Sequence, residues 1–360
     1  MSTADPAAAS VPAEFAIAGR LIGPAHRPYI IAELSANHLK RYSRALEVLE
    51  MAAAQGADAV KLQTYRPDTI TIDHDSEDFR IHGGLWDGYT LYKLYESAYM
   101  PWEWHEPLMR RGRELGVHVF SSPFDDTAVD LLESLEAPAY KIASFEAVDI
   151  ALIRRAASTR KPLIISTGLA NLPEIEEAKA TALQAGAGGV ALLHCISAYP
   201  APIAESNLRT ISDLRLRFPD TVIGLSDHTM GTVVAAAAIA LGASIIEKHV
   251  TLSRADGGAD SAFSLEPDEL RRLVEDGRNA WEALGRVHYD LKDSERGNAA
   301  FRRSLYICED LEPGDVLTAR NLRAIRPGYG LAPKHLDDLL GRRVTRKVSR
   351  GTPADWSIVS

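Results

Sequence analysis

Eight times along this chain a short apolar run recurs, usually followed by a run with helical periodicity. That alternation constrains the fold more than any other feature. The apolar runs are Tyr29–Leu34, Ala59–Thr64, His118–Ser122, Ala139–Ser144, Pro162–Thr167, Val190–Cys195, Thr221–Asp227 and Ser244–Val250. Helical patterns follow most of them, including Ser43–Gln55, Trp104–Leu115, Asp125–Leu135, Leu172–Gln184, Val233–Leu241 and Glu266–Leu284. Strands apolar on nearly every residue suit a parallel sheet covered on both faces. Eight strand-and-helix units within roughly 250 residues predict an α/β fold of the TIM (β/α)8 barrel type. The alternative is a doubly wound open sheet, but no GxGxxG follows the first strand.

In such a barrel the chemistry gathers at the C-terminal ends of the strands. In chain order those ends supply Glu33, Ser35, Asn37 and His38; Lys61, Gln63 and Tyr65; Ser121, Ser122 and Phe124; Lys141, Ser144 and Glu146; Ser166 and Thr167; and Ser197 and Tyr199. The last two strands end in GLSDHT and IIEKHV, which contribute Ser226, Asp227, His228, Glu247, Lys248 and His249. A right-handed crossover places these two strands side by side and parallel, so His228 and His249 should meet at one end. Strand ends are often polar for structural reasons, yet eight of them aimed at one mouth point to a site.

Two imidazoles near carboxylates make a first shell for a divalent cation, with positions left open for Lewis-acid chemistry. A general acid–base pair is the other use of two histidines. Lys61 and Lys141 lie inside strand patterns, where a lysine needs anionic partners. With Ser122, Ser144, Ser166 and Ser226 they make a phosphate-and-carboxylate pocket. A barrel lysine can instead form a Schiff base. Glu33, Glu146, Glu247 and Asp260 suit a hydroxyl-rich ligand, although Asp260 also follows a Gly-Gly turn. Glu247 and His249 share a face of their strand, and Lys248 points the other way. The long segment between Tyr65 and Pro101 carries GGLWDGYTLYKLY and reads as a lid or substrate-binding loop.

Composition narrows the partners. With 46% hydrophobic residues, 25% charged residues and a net charge of −9, the chain is a globular protein with a large core and no affinity for nucleic acid. Cys195 and Cys308 are far apart in sequence, so free thiols in a reducing compartment are expected. No secretory signal or membrane span is legible, which suggests a cytoplasmic protein. The expected organisation is a disordered tail (1–16), a barrel (17–285), a charged linker (286–298) and a small unit of short strands and turns (299–360). That last unit is too small to bury much surface alone and is expected to dock on a barrel, its own or a partner's.

Nearly the whole chain resembles the sialic acid synthase family. The resemblance rests on IAELSANH, VKLQTY, FSSPFD, YKIASFE, IISTGLA, LLHCISAYPAP, GLSDHT, IIEKHV, GGADSAFSL and RRSLYICEDLEPGD…IRPGYG, in order. It implies condensation of phosphoenolpyruvate with an N-acylated amino sugar. It also implies that Lys61, Ser122, Lys141, Ser144, Ser166, Ser197 and Ser226 hold phosphoenolpyruvate, although some members carry Asn where Ser197 stands. His228 and His249 would bind Mn2+ or Mg2+, and Glu33, Gln63, Phe124, Glu146, Tyr199, Glu247, Asp260 and Arg326 would meet the sugar. Glu33, Glu247, Lys61 and Lys141 would be the catalytic groups. The C-terminal unit resembles the family's antifreeze-like (SAF) domain, which implies a homodimer in which Arg326 serves the partner's site. AELSANH, SSPFD, ASFE and the LWDGYTLYKLY loop resemble the branch that uses 2,4-diacetamido-2,4,6-trideoxy-L-altrose. The neuraminate and legionaminate branches more typically carry Gly where Phe145 stands.

Overall fold

The structure, a computed structural model, describes residues 13–360. The chain divides at Gly285 into two compact units. In the first, a short antiparallel hairpin, β1 (Phe15–Ile17) and β2 (Arg20–Ile22), precedes eight parallel strands. These are β3 (Tyr29–Glu33), β4 (Ala59–Thr64), β5 (His118–Pro123), β6 (Tyr140–Ile142), β7 (Leu163–Ser166), β8 (Val190–Cys195), β9 (Val222–Asp227) and β10 (Ile245–His249). They close into a barrel in sequence order, β10 pairing with β3, so the TIM barrel is the observed fold.

Local chemistry explains the helix boundaries. Asp125 caps the helix Asp126–Ser134 by accepting from the amides of Thr127 and Ala128. Asn171 and Glu174 form a reciprocal capping box on Leu172–Gln184. Gly116, at φ 73°, ends His105–Leu115 in the left-handed conformation. Ala139–Ser144, expected as strand throughout, shortens to β6 because Ser144–Glu146 turns into a 3-10 helix.

The strand period of two splits the core into two layers. Outward residues such as Ile30, Val60, Leu62, Ile142, Leu225 and Ile246 pack with the helices. Inward residues form a second cluster: Tyr29, Ile31, Ala59, Phe120, Ala139, Ile164, Leu193, Val222 and Ile245. Phe15, Ile17 and Ile22 of the hairpin belong to this inner cluster and close the N-terminal end of the barrel. The expected disordered tail is therefore corrected at its end, because burial of Phe15 and Ile17 orders that part. Residues 1–12 of the tail lie outside the described residues.

The second unit, Arg286–Ser360, pairs β11 (Ser304–Ile307) with β12 (Leu322–Ile325). Part of the expected linker is 3-10 helix, Asp293–Phe301. The unit also has a core of its own, including Leu305, Ile307, Leu311, Leu322, Leu339, Val344 and Ile358. The expectation that it buries little on its own underrated these alternating apolar residues.

Candidate active site

The inner layer changes character along each strand. Ile31 is followed two residues later by Glu33, Ala59 by Lys61 and Gln63, Phe120 by Ser122, and Ala139 by Lys141. Ile164 leads to Ser166, Leu193 to Cys195, Gly224 to Ser226, and Ile245 to Glu247 and His249. The apolar residues fill the closed end, and the polar ones surround a cavity of about 440 Å3 at the other. Ser35, Lys61, Gln63, Lys141, Ser144, Glu146, Ser166, Tyr199, Ser226, His228, Glu247, His249 and Asp260 line it, with Phe124 and Phe145. Glu33 and Ser122 lie beneath this lining and are buried.

At the floor two lysines meet two carboxylates. Lys61 Nζ lies 3.1 Å from Glu33 and 2.9 Å from Glu247, and donates to Ser122 Oγ at 3.3 Å. Lys141 Nζ is 3.6 Å from Glu247. The buried lysines thus have anionic partners within the protein. Burial pushes the Glu33 carboxyl up to about 7, against the pull of Lys61. Burial acts on Glu247 too, but Lys141 and Lys61 outweigh it and hold that carboxyl below its ordinary range. Burial also weighs against the charged form of Lys61, yet Glu247 and Glu33 overcome it and keep the ammonium charged. Lys141, with one partner, is shifted down by burial.

Above the floor the rings of His228 and His249 lie 5.4 Å apart. His228 Nδ1 is 2.9 Å from the carbonyl of Ile196, which fixes a tautomer leaving Nε2 free. His249 Nδ1 is buried, makes no hydrogen bond and sits 3.6 Å from Asp260. Burial, with the charges of His228 and the lysines, holds His249 neutral. Asp227, expected beside His228, turns away to Lys248. Among the described residues no three His, Cys, Asp or Glu side chains converge on one point. Two imidazoles lining one cavity, one with Nδ1 tied to a carbonyl and one with Nδ1 unpaired, fit a cation whose other ligands are water and substrate.

The serines take different roles. Ser144 donates to Cys195 Sγ at 3.2 Å, and Ser226 to Glu247 at 3.5 Å. Ser166 Oγ is buried without a partner, and Ser197 lies beside Cys195, outside the lining. Gln63 donates to Glu33 at 2.9 Å, and Ser35 donates to Asp260. Burial raises the Glu146 carboxyl to about 7, and its Oε2 has no partner. Phe145 stands 60% exposed at the rim. Arg326 belongs to the second unit, is exposed and forms no ion pair among the described residues.

The segment after Tyr65 covers the cavity with an apolar wall of Ile70, Ile81, Trp86, Leu91, Leu94 and Tyr95. Trp86 donates to the carbonyl of Ala259 at 3.3 Å, and its ring lies tilted 48° to that of Tyr199 with centroids 5.9 Å apart. Two contributors were not singled out from sequence. Cys195 is the inward residue that ends β8, a place its alternation with Leu193 gives away. Gly168 leaves room for the serines, because a Cβ there would overlap Ser197 Oγ and come within 2.8 Å of Ser144 Oγ. A separate hollow of about 500 Å3, bordered by Phe218, Leu216 and Arg215, contains none of these groups.

Comparison with known proteins adds relatives to this geometry. Residues 48–289 match the NeuB family and residues 302–359 the SAF domain. The chain is 41% identical over 323 residues to a pseudaminic acid synthase of Campylobacter jejuni subsp. jejuni serotype O:23/36, covering 90% of this chain and 94% of that one. It is 33% identical to an N,N'-diacetyllegionaminic acid synthase of Legionella pneumophila, covering 91% and 93%. Among solved structures, the spore coat polysaccharide biosynthesis protein SpsE of Bacillus subtilis superposes with a TM-score of 0.66 at 33% identity, covering 97% of this chain and 99% of that one.

Proposed function

This chain belongs to the NeuB family, and from that premise we propose that it is a pseudaminic acid synthase. It condenses phosphoenolpyruvate with 2,4-diacetamido-2,4,6-trideoxy-L-altrose and water to give pseudaminic acid and phosphate. The higher identity to pseudaminic acid synthases than to legionaminic acid synthases carries the choice of branch. N-acetylneuraminate or N,N'-diacetyllegionaminate synthesis is the alternative.

In this reading Lys61 and Lys141 receive the carboxylate and phosphate of phosphoenolpyruvate, helped by Ser144, Ser166 and Ser226. Ser122 steadies Lys61, and Ser197 acts next to Cys195. His228 and His249 would hold Mn2+ or Mg2+, which supplies Lewis-acid polarisation of the open-chain sugar's carbonyl. Gln63, Phe124, Glu146, Tyr199 and Asp260 orient the sugar. C3 of phosphoenolpyruvate forms the new bond to that carbonyl, and positive charge develops at C2. Glu247, kept ionised by two lysines, sits where a negative charge favours that development. Water then adds at C2 and the C–O bond to phosphate breaks. The water loses a proton and the sugar oxygen gains one. Glu33 suits that transfer, because it is buried beside Lys61 and its carboxyl is raised towards neutrality.

A Schiff-base aldolase needs a neutral lysine; Lys61 between two carboxylates is the opposite, while burial shifts Lys141 that way, so borohydride trapping with substrate separates the two chemistries. A homodimer whose SAF domains bring Arg326 to the partner's sugar completes the proposal, with the enzyme in the cytoplasm beside its substrates. No helix among the described residues is long and apolar enough to cross a membrane.

The test is phosphate release from phosphoenolpyruvate with Mn2+ and either the altrose derivative or N-acetylmannosamine. Release with the altrose derivative alone supports the reading. Release with N-acetylmannosamine alone moves the chain to the neuraminate branch, and silence with both sinks it. Phe145→Gly, at the rim beside Glu146, should weaken the preference for the 6-deoxy sugar.

A further inference from the structure

Behind the two imidazoles, on the outer face of the barrel, stands a charged pair that the chemistry above does not use. Asp227 precedes His228 and Lys248 precedes His249, and the two lie opposite each other in the β9–β10 register. Their side chains enter the layer between strands and helices, which is otherwise built of apolar residues such as Leu225 and Ile246. Both side chains are 1% exposed. Lys248 Nζ donates to Asp227 Oδ2 at 2.8 Å and to the carbonyl of Thr229 at 2.6 Å. The other oxygen of Asp227 accepts from the amide of Thr229 at 2.9 Å and from its hydroxyl at 2.8 Å. One ammonium therefore holds the residues on both sides of His228 while being the chain neighbour of His249.

A buried ion pair is a poor device for stability alone. Its desolvation cost rivals its attraction, and apolar replacements of similar volume are often as stable or more so. What an apolar pair cannot do is fix two backbones by directional bonds. Here those bonds span the turn that carries one imidazole and the strand that carries the other.

We propose that Lys248 and Asp227 are positioning residues that set the separation and aim of His228 and His249, and thereby the affinity of that pair for a divalent cation. The inference rests on the reading of the two histidines as metal ligands. Groups that orient metal ligands from behind typically change affinity about 10- to 100-fold when removed.

The experiment measures Mn2+ binding by electron paramagnetic resonance titration of the full-length protein, with metal-free phosphoenolpyruvate binding measured on the same samples. The main variant is the double Lys248→Met, Asp227→Leu, which leaves no unpaired buried charge. It should unfold near the wild-type temperature and bind phosphoenolpyruvate within about twofold of wild type, because Lys61 and Lys141 stand on other strands. Its Mn2+ affinity should fall at least tenfold. Wild-type Mn2+ affinity in the double variant would overturn the inference. If the double variant does not fold, Asp227→Asn keeps the shape and weakens only the charged tie. A threefold or greater loss of Mn2+ affinity there supports the inference, and no change overturns it. Failure of the metal reading looks different: wild-type protein then binds no Mn2+, or His249→Ala binds it equally well, and the inference falls with it.

Discussion

Glu33 and Glu247 share a lysine and a depth, yet their neighbours make them different acids. Glu247 has two ammonium groups within 3.6 Å, whereas Glu33 has one and a neutral amide. Position in sequence showed that both would face inward; it did not show how the lysines would be divided. His249→Ala should lower kcat/KM by about two to three orders of magnitude, the size expected for loss of a preorganised electrostatic stabiliser. Its melting temperature should move by only a few degrees, and a thermal melt beside a phosphate-release assay reads both. Glu146 makes a prediction about stability. Its carboxyl is raised by burial from 4.5 to about 7, so the folded state holds a proton that the unfolded chain has released. Its contribution is complete below pH 4.5 and is lost as pH rises to 7, a penalty of up to about 3 kcal/mol. Glu146→Gln should gain melting temperature over wild type across that range, and a constant difference would refute the assignment.

At the scale of elements, the barrel was legible because apolar strands and amphipathic helices alternate with different periods. The inward column was legible as well, since on each strand the first inward polar candidate follows an inward residue without charge two positions earlier, and Gln63 and His249 continue the same column. The sequence was less explicit where a single residue sets a clearance. Gly168 lies just after β7 in an ordinary turn-like setting, and only the packed structure reveals the two serines behind it. Gly168→Ala should raise KM for phosphoenolpyruvate about tenfold or more, since hydrogen bonds to a charged ligand would be displaced, with little change in thermal stability. The hairpin β1–β2 escaped notice because three-residue strands leave almost no pattern. The Lys248–Asp227 tie escaped because strand alternation tells only that Lys248 faces outward, not that Asp227 waits there.

For the whole molecule, charge is unevenly distributed between the two units. Residues 1–285 carry 26 Lys and Arg against 39 Asp and Glu, and residues 286–360 carry 14 against 10. If the SAF domain serves a partner's barrel, opposite net charges favour that association, and dimer dissociation should increase with salt. Sharing of sites has a sharper test. Arg326→Ala and His249→Ala should each be nearly inactive alone. Mixed and allowed to exchange subunits, they should regain up to about a quarter of wild-type activity, because a hybrid dimer has one site free of both changes. No recovery after proven exchange would argue that each chain completes its own site.

The plug formed by Phe15, Ile17 and Ile22 has a kinetic consequence. With one end of the barrel closed, molecules enter and leave in a queue. If phosphoenolpyruvate sits at the lysine floor as proposed, it should arrive before the bulkier sugar covers it. Release should reverse that order, with the nine-carbon acid departing first and phosphate last. Inorganic phosphate should therefore compete with phosphoenolpyruvate, whereas an unreactive sugar analogue should bind tightly only once phosphoenolpyruvate is in place.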